Sequence, residues 1–180
     1  ARVWKNARRI HASEGGDVEI LFVGTMLHDC VAMEKNDPLA KEASRMAGQR
    51  ATSILAGLGW NKVRVAAVQH SIEAHSFSAK FTPETLEAKI LQDADRLDAL
   101  GMIGVARTFY ISGRMGTALY HPDEPVAIMR PLDDKRYAID HFHAKLLKLA
   151  DGFQTTTGAE LAKIRHTRLL RFLNEFLEEA

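Results

Sequence analysis

The stretch that decides the fold is Ile20–Cys30, "ILFVGTMLHDC", an apolar run that ends on a histidine, an aspartate and a cysteine. A second stretch of the same kind is Leu91–Gly101, "LQDADRLDALG", which places three aspartates among leucines and alanines. Burying carboxylates and imidazoles is costly unless they are paired with other groups or bind a metal. The two stretches therefore predict a polar site inside an apolar core, held either by ion pairs or by a cation.

The rest of the chain is organised as helices separated by capping residues. Gly15–Gly16 predicts the end of a first helix, and Asp17 is a candidate N-cap for the helix that leads to the histidine–aspartate pair. Asp37–Pro38 predicts another helix start. Asn61 and Thr82–Pro83 predict the starts of two more, the second of which carries the three aspartates. Since no alternating strand pattern competes with these signals, the sequence predicts an all-α fold.

The length of 180 residues predicts a single domain over residues 1–180. Its core is expected over about 1–112, and a loop over about 113–132, where two glycines and three prolines occur. Helices over about 133–180 are expected to pack on the core, the first of them capped by Asp133 or Asp134.

Composition excludes several classes of partner. The net charge of +1 with 26% charged residues gives no excess charge for a nucleic-acid polymer or a membrane surface. Cys30 is the single cysteine, which excludes an internal disulfide and suits a reducing compartment. The sequence shows neither a signal-peptide pattern nor an apolar run long enough to span a bilayer. A cytoplasmic protein is expected, and its oligomeric state stays open.

Several motifs together resemble one known family. "LHD" at 27–29, "HSIEAH" at 70–75 and "DADRLDALG" at 93–101 resemble the HD-domain metal-dependent phosphohydrolase superfamily. "LYHPDEP" at 119–125 and "DDKRYAIDHFHAKLLKL" at 133–149 extend the resemblance to a small stand-alone bacterial subgroup. The resemblance implies a helical HD-domain fold whose metal ligands follow the order H…HD…D.

The family's ligands can be carried over by position. His28 and Asp29 match the HD pair, and Asp95 in "ADR" matches the last aspartate. The family's first ligand is the histidine of an H-x-x-R-V motif. Arg2–Val3 matches the end of that motif, so this histidine is expected two residues before Ala1.

The implied chemistry is hydrolysis of a phosphoanhydride or phosphoester by metal-bound hydroxide, with His28 and Asp29 in catalytic roles. Imidazole and carboxylate ligands suit manganese, magnesium or another transition metal, and Asp29 could also accept the proton of the attacking water. The expected partner is a small phosphorylated substrate, most readily a nucleotide. The residues expected to bind it are Lys35, His70, His75, Arg96 and Lys145.

Alternatives remain open at this point. A second metal could bind through His70 and His75, although the adjacent histidine pair of binuclear relatives is absent, which favours a single metal. Asp93 and Asp98 are expected to be structural, and Arg96 could equally form an ion pair. The whole chain could also be a non-catalytic helical binding module that keeps the HD fold. Finally, the pattern could be accidental, with an ion-paired helix end and a solvated acidic face.

Overall fold

The computed structural model describes residues 2–31, 33, 39, 42–76 and 81–180. Eight α-helices lie within these ranges: α1 (Arg2–Glu14), α2 (Val18–Leu27), α3 (Ala43–Gly57), α4 (Lys62–His75), α5 (Leu86–Leu97), α6 (Gly101–Met115), α7 (Ala138–Ala144) and α8 (Thr156–Glu178). A short 3-10 helix spans Leu146–Lys148. In these ranges the only β-type pairing is one isolated bridge between Ala118 and Tyr137. The prediction of an all-α fold is confirmed.

The described residues group into two compact units. The first extends to Asp95 and includes Gln154–Gly158. The second comprises Arg96–Phe153 and Ala159–Ala180. None of the helices in the described ranges has the length and apolar content to cross a membrane.

Helices α2, α3 and α4 share a hydrophobic core in the first unit. Its buried members are Ile20, Ala47, Ala51, Leu55, Val65, Val68 and Ile72. Cys30 packs against this core and its Sγ lies 3.6 Å from the carbonyl oxygen of Ala47, so the only cysteine serves as a core thiol. This packing holds the C-terminal end of α2 against α3 and α4.

Two predicted helix caps are confirmed. The Asp17 carboxylate accepts hydrogen bonds from the N–H groups of Glu19 at 3.0 Å and Ile20 at 3.1 Å, which satisfies two of the donors that the first turn of α2 leaves without helical partners. Asn61 accepts from the N–H of Val63 at 2.8 Å at the start of α4. Both caps hold helices that carry site residues at their other ends.

Asp17→Ala is expected to destabilise the first unit by about 1–2 kcal/mol, because it removes the cap of α2. The same carboxylate also forms an ion pair with Arg64 on α4, with atoms 2.8 Å apart. Urea denaturation followed by circular dichroism measures the change. Asp17→Asn retains a capping oxygen and removes the charge, so it should recover most of the loss. An Asp17→Ala midpoint equal to that of the wild type would contradict this account.

The second unit has its own core, formed by α6, α7, the 3-10 helix and α8. Its buried residues are Val105, Ile139, Phe142, Leu146, Leu169 and Leu173. Phe109 lies among three other phenylalanines, with its ring centroid 5.7–6.0 Å from those of Phe142, Phe172 and Phe176. Such aromatic contacts add to the stabilisation that burial provides.

The predicted start of the helix at Asp133 or Asp134 is wrong. The residue that precedes α7 is Tyr137, whose backbone is extended and whose side chain caps nothing. Asp133 instead accepts from the N–H groups of Lys135 and Arg136, so it closes a turn before the helix. The predicted start at Asp37–Pro38 lies outside the described residues.

Candidate metal centre

Four side chains from three helix segments of the first unit lie close together. His28 directly follows α2, Asp29 comes next, His75 is the last residue of α4, and Asp95 lies on α5. His28 Nε2 lies 3.1 Å from Asp29 Oδ2 and 3.9 Å from Asp95 Oδ1. His75 Nε2 lies 3.7 Å from Asp29 Oδ1, and the two imidazole rings meet edge to face at 5.0 Å. We call these four residues the metal-site cluster.

Backbone carbonyls determine which nitrogen of each imidazole is available. His28 Nδ1 lies 2.7 Å from the carbonyl oxygen of Thr25, and His75 Nδ1 lies 2.6 Å from that of Ile72. A carbonyl oxygen only accepts, so Nδ1 carries the proton in both rings and donates it. In the neutral form Nε2 therefore carries the lone pair, and both Nε2 atoms lie beside the Asp29 carboxylate.

The two histidines differ in proton affinity. Burial lowers the pKa of His28, but the hydrogen bond and charge of Asp29, together with Thr25 and Asp95, outweigh it and raise the pKa above its ordinary value. Burial dominates at His75, whose side chain is 8% exposed, so its pKa lies below the ordinary value. The pair therefore holds one proton more readily than two.

The donors of the metal-site cluster fit a divalent cation. One ligand atom each of His28, Asp29 and His75 lies within 4.8 Å of the other two. Ligand atoms bound at about 2.1 Å to one cation are separated by roughly 3–4 Å, and the three nitrogen–oxygen distances of 3.1, 3.7 and 3.9 Å fall in this range. The hydrogen bonds from Nδ1 to carbonyl oxygens are those that orient metal-binding histidines in proteins.

His75 of the metal-free protein is expected to be neutral at pH 7 with its proton on Nδ1. The reasons are its burial, which lowers its pKa, and its hydrogen bond to the carbonyl oxygen of Ile72. A long-range ¹⁵N–¹H correlation spectrum of the imidazole nitrogens distinguishes the two tautomers. His11 of α1 serves as the comparison, because there it is Nε2 that lies 3.2 Å from a carbonyl oxygen, that of Gly16. A proton on Nε2 of His75 would contradict the assignment.

Helix α5 is anchored at the two residues that precede Asp95. The buried Asp93 carboxylate accepts from the N–H groups of Gln154 at 2.9 Å and Thr155 at 2.8 Å, and from the Thr155 hydroxyl at 2.7 Å. Asn6 of α1 donates to the carbonyl oxygen of Ala94 at 3.0 Å. Asp93 thus has the structural role that was expected of it.

Arg96 and Asp98 form contacts within the second unit. The Arg96 guanidinium donates to the carbonyl oxygens of Leu149 at 3.0 Å, Asp151 at 2.5 Å and Gly152 at 2.8 Å. Asp98 pairs with Arg107. The structure thus gives Arg96 three backbone partners within this unit.

The remaining predicted substrate-binding residues have separate positions. His70 Nε2 accepts a hydrogen bond from the N–H of Glu84 at 3.0 Å, so its lone pair is already used. Lys145 is exposed at the end of α7, in the second unit. Lys35 lies outside the described residues. Among the five predicted residues, the structure brings His75 to the metal-site cluster and leaves His70, Arg96 and Lys145 in other contacts.

His75 was predicted to contact substrate, whereas the geometry groups it with the candidate ligands. His70 and His75 lie on the same helix, and their spacing of five residues points them about 140° apart around its axis. The sequence does not indicate which of the two faces α2. One signal could have favoured His75: it stands at the helix end, as His28 does.

Comparisons with known proteins show which family this chain resembles. The family model of the HD domain matches residues 1–100. Uncharacterized protein YpgQ of Bacillus subtilis (strain 168) is 32% identical over 179 residues, which cover 97% of this chain and 79% of that protein. The crystal structure of B. subtilis YpgQ in complex with ADP has a TM-score of 0.75 and 30% identity, covering 99% of this chain and 85% of YpgQ. An HD-superfamily hydrolase from Bacillus thuringiensis has a TM-score of 0.76 and 31% identity, covering 99% and 82%.

Proposed function

Because the chain belongs to the HD domain family, we propose that it is a metal-dependent phosphohydrolase that cleaves a phosphoanhydride or phosphoester bond of a small nucleotide. The observation that carries the proposal is the metal-site cluster, in which two imidazole Nε2 atoms lie within 4 Å of aspartate oxygens. His28, Asp29, His75 and Asp95 would hold the cation, which we expect to be manganese, magnesium or another transition metal.

A cation is needed for electrostatic reasons. Asp29 and Asp95 bring negative charge to the site, and a phosphate group brings more, so the two would repel each other without a positive ion between them. A bound divalent cation would offset this repulsion, polarise a phosphoryl oxygen and make a water molecule more acidic. The donor set thus suits an anionic substrate only when a metal is present.

The residues of the metal-site cluster would have different roles in binding the cation and accepting a proton. His28 and His75 are oriented by backbone carbonyls, so their Nε2 atoms are positioned before any ligand arrives. The Asp29 side chain is 75% exposed and lies between the two imidazoles, where it would accept a proton from the attacking water. Asp95, held on the anchored helix α5, would complete the donor set.

A nucleotide is the substrate class that the comparisons favour. The solved complex of B. subtilis YpgQ contains ADP, and this chain is 30% identical to it over nearly its whole length. A nucleoside diphosphate or triphosphate offers both the charge that a divalent cation attracts and a phosphoanhydride bond to cleave. The near-neutral net charge of +1 also suits a small ligand better than a polymer.

The test is hydrolysis of a nucleoside diphosphate and triphosphate panel by the full-length protein with added Mn²⁺, followed by ³¹P NMR. We expect metal-dependent release of phosphate or pyrophosphate that EDTA stops and fresh Mn²⁺ restores. The identity of the released product reports which bond is cleaved. Turnover that EDTA leaves unchanged would contradict the metal mechanism, and Mn²⁺ binding without turnover of any nucleotide would contradict the substrate class. Absence of both would favour the non-catalytic binding module.

A further inference from the structure

Gln92 of α5 lies one turn before Asp95 and is almost fully buried, with 3% of its surface exposed. Its Nε2 donates a hydrogen bond of 2.8 Å to the carbonyl oxygen of Ala74, the residue before His75. We propose that Gln92 is a positioning residue of the metal site, which sets the distance between His75 and Asp95. The inference rests on the proposed function, since it concerns the same cation site.

The acceptor of this bond is a helix-end carbonyl. The last four carbonyl groups of an α-helix have no N–H partner within the helix, and those that are buried need one from elsewhere. Ala74 lies in the last turn of α4 and is fully buried. In the same turn the carbonyl of Ile72 receives the His75 ring. The last turn of α4 is therefore held by His75 itself and by Gln92.

The orientation of the Gln92 amide follows from its partner. A carbonyl oxygen accepts only, so the nitrogen of the amide must face Ala74, and rotating the amide by 180° would break the bond. The other amide atom, Gln92 Oε1, is buried and has no hydrogen-bond partner among the described residues. An unsatisfied buried acceptor is costly. An apolar side chain of similar length would avoid this cost but leave the buried carbonyl of Ala74 without its donor. The glutamine thus exchanges one unsatisfied acceptor for another, so a gain in core stability alone does not explain it.

The bond joins the two helix segments that carry His75 and Asp95. It attaches the backbone next to His75 to α5, one turn from Asp95, while the contacts of Asn6 and Asp93 hold α5 at the two residues that precede that aspartate. Without the amide, the end of α4 would keep its apolar packing but lose its polar connection to α5. A metal site tolerates such loosening poorly, because its ligand atoms must meet at one point.

The test compares the affinity of the wild-type protein and two variants for Mn²⁺ alone, measured by isothermal titration calorimetry on the full-length protein. Gln92→Met and Gln92→Leu both remove the hydrogen-bond donor and put an apolar side chain in its place. We expect the Kd for Mn²⁺ to rise about 10- to 100-fold in both, the usual range for losing a group that orients metal ligands. Relative to the wild type, both variants should lose more turnover at low Mn²⁺ than at saturating Mn²⁺.

Thr52→Val is the matched control, because it removes a different hydrogen bond between helices, the 3.0 Å contact from Thr52 of α3 to Gln69 of α4. A purely structural role of Gln92 would lower the unfolding temperature in the control and in the Gln92 variants, with the Mn²⁺ affinity unchanged in all. Wild-type affinity in folded Gln92→Met or Gln92→Leu would overturn the inference alone. A wild-type protein that fails to bind Mn²⁺ would overturn the proposed function and this inference together.

Discussion

Asp95→Ala is expected to lower kcat/KM for the nucleotide by roughly a thousandfold, because losing one ligand of the cation removes several kcal/mol of transition-state stabilisation and each 1.36 kcal/mol is about tenfold in rate. Asp95 lies 3.9 Å from His28 and its side chain is 39% exposed, so the substitution leaves no buried cavity. Alanine also favours a helix. Steady-state kinetics at several Mn²⁺ concentrations measures the effect.

The control for this experiment is Glu160→Ala, which removes an exposed carboxylate from α8. It should leave kcat/KM within about twofold of the wild type, since single surface charges act weakly. Circular dichroism should show the same helix content in both variants. An Asp95→Ala protein with wild-type kcat/KM would remove Asp95 from the proposed site.

Asp140→Ala is expected to have the largest effect on stability and to lower the free energy of unfolding by about 3–5 kcal/mol. The substitution breaks a buried ion pair and leaves the Arg130 guanidinium without its carboxylate partner. The Asp140 carboxylate is fully buried and accepts from the Arg130 guanidinium at 2.6 and 2.7 Å. It also accepts from the N–H of Asp133 at 2.6 Å. Calorimetry should show an unfolding temperature lower by roughly 6–20 °C, since 1 kcal/mol shifts it by about 2–4 °C in a chain of this size.

Asp134→Ala provides the matched comparison. Asp134 also pairs with a basic side chain of this unit, His141 at 3.0 Å, but it is 42% exposed. Exposed ion pairs contribute about 0–1 kcal/mol, so its unfolding temperature should stay close to that of the wild type. Equal losses in the two aspartate variants would show that burial of the Arg130–Asp140 pair has no special weight.

The contribution of Asp140 should also depend on pH. Burial raises the pKa of Asp140, but the hydrogen bonds from Arg130 and Asp133 and the charge of Arg130 outweigh it, so the pKa lies below its usual value. A lowered pKa in the folded state means that the stabilisation is complete above the unfolded pKa of about 3.9 and is lost as the pH falls through the folded value. The difference between wild type and Asp140→Ala should therefore shrink below about pH 4.

The sequence predicted the features that depend on local chemistry. Asp17 and Asn61 cap helices because their short side chains reach the N–H groups of the first turn, a property of the residues and their spacing alone. The resemblance carried by "LHD" and "DADRLDALG" is confirmed by the family match over residues 1–100. The structure also brings His28, Asp29 and Asp95 together, as that resemblance implied.

The features that the sequence missed depend on tertiary contacts. The sequence did not indicate that Arg96 donates to three carbonyl oxygens between positions 149 and 152. Local spacing does not show which loop passes near a side chain. The prediction that Asp133 caps the helix is wrong for a similar reason. The N–H of Asp133 donates to the buried Asp140, which holds Asp133 in a turn before α7.

His75 and Gln92 show the same limit within the site. In the sequence, both are single polar residues in helices that look like ordinary core helices. Their roles depend on the approach of α4 to α5, where the Gln92 amide meets the carbonyl oxygen of Ala74. The choice between His70 and His75 as a metal-site residue likewise required the position of α2, since His28 comes from that helix.

The most direct test of the metal site is anomalous diffraction at the manganese absorption edge from crystals of the full-length protein grown with Mn²⁺. We expect one strong anomalous peak about 2.0–2.3 Å from His28 Nε2 and from carboxylate oxygens of Asp29 and Asp95, the range for imidazole and carboxylate ligands. We also expect His75 Nε2 to lie next to this peak. Manganese bound only elsewhere, with His28 Nε2 still paired to the Asp29 carboxylate at saturating Mn²⁺, would contradict the account.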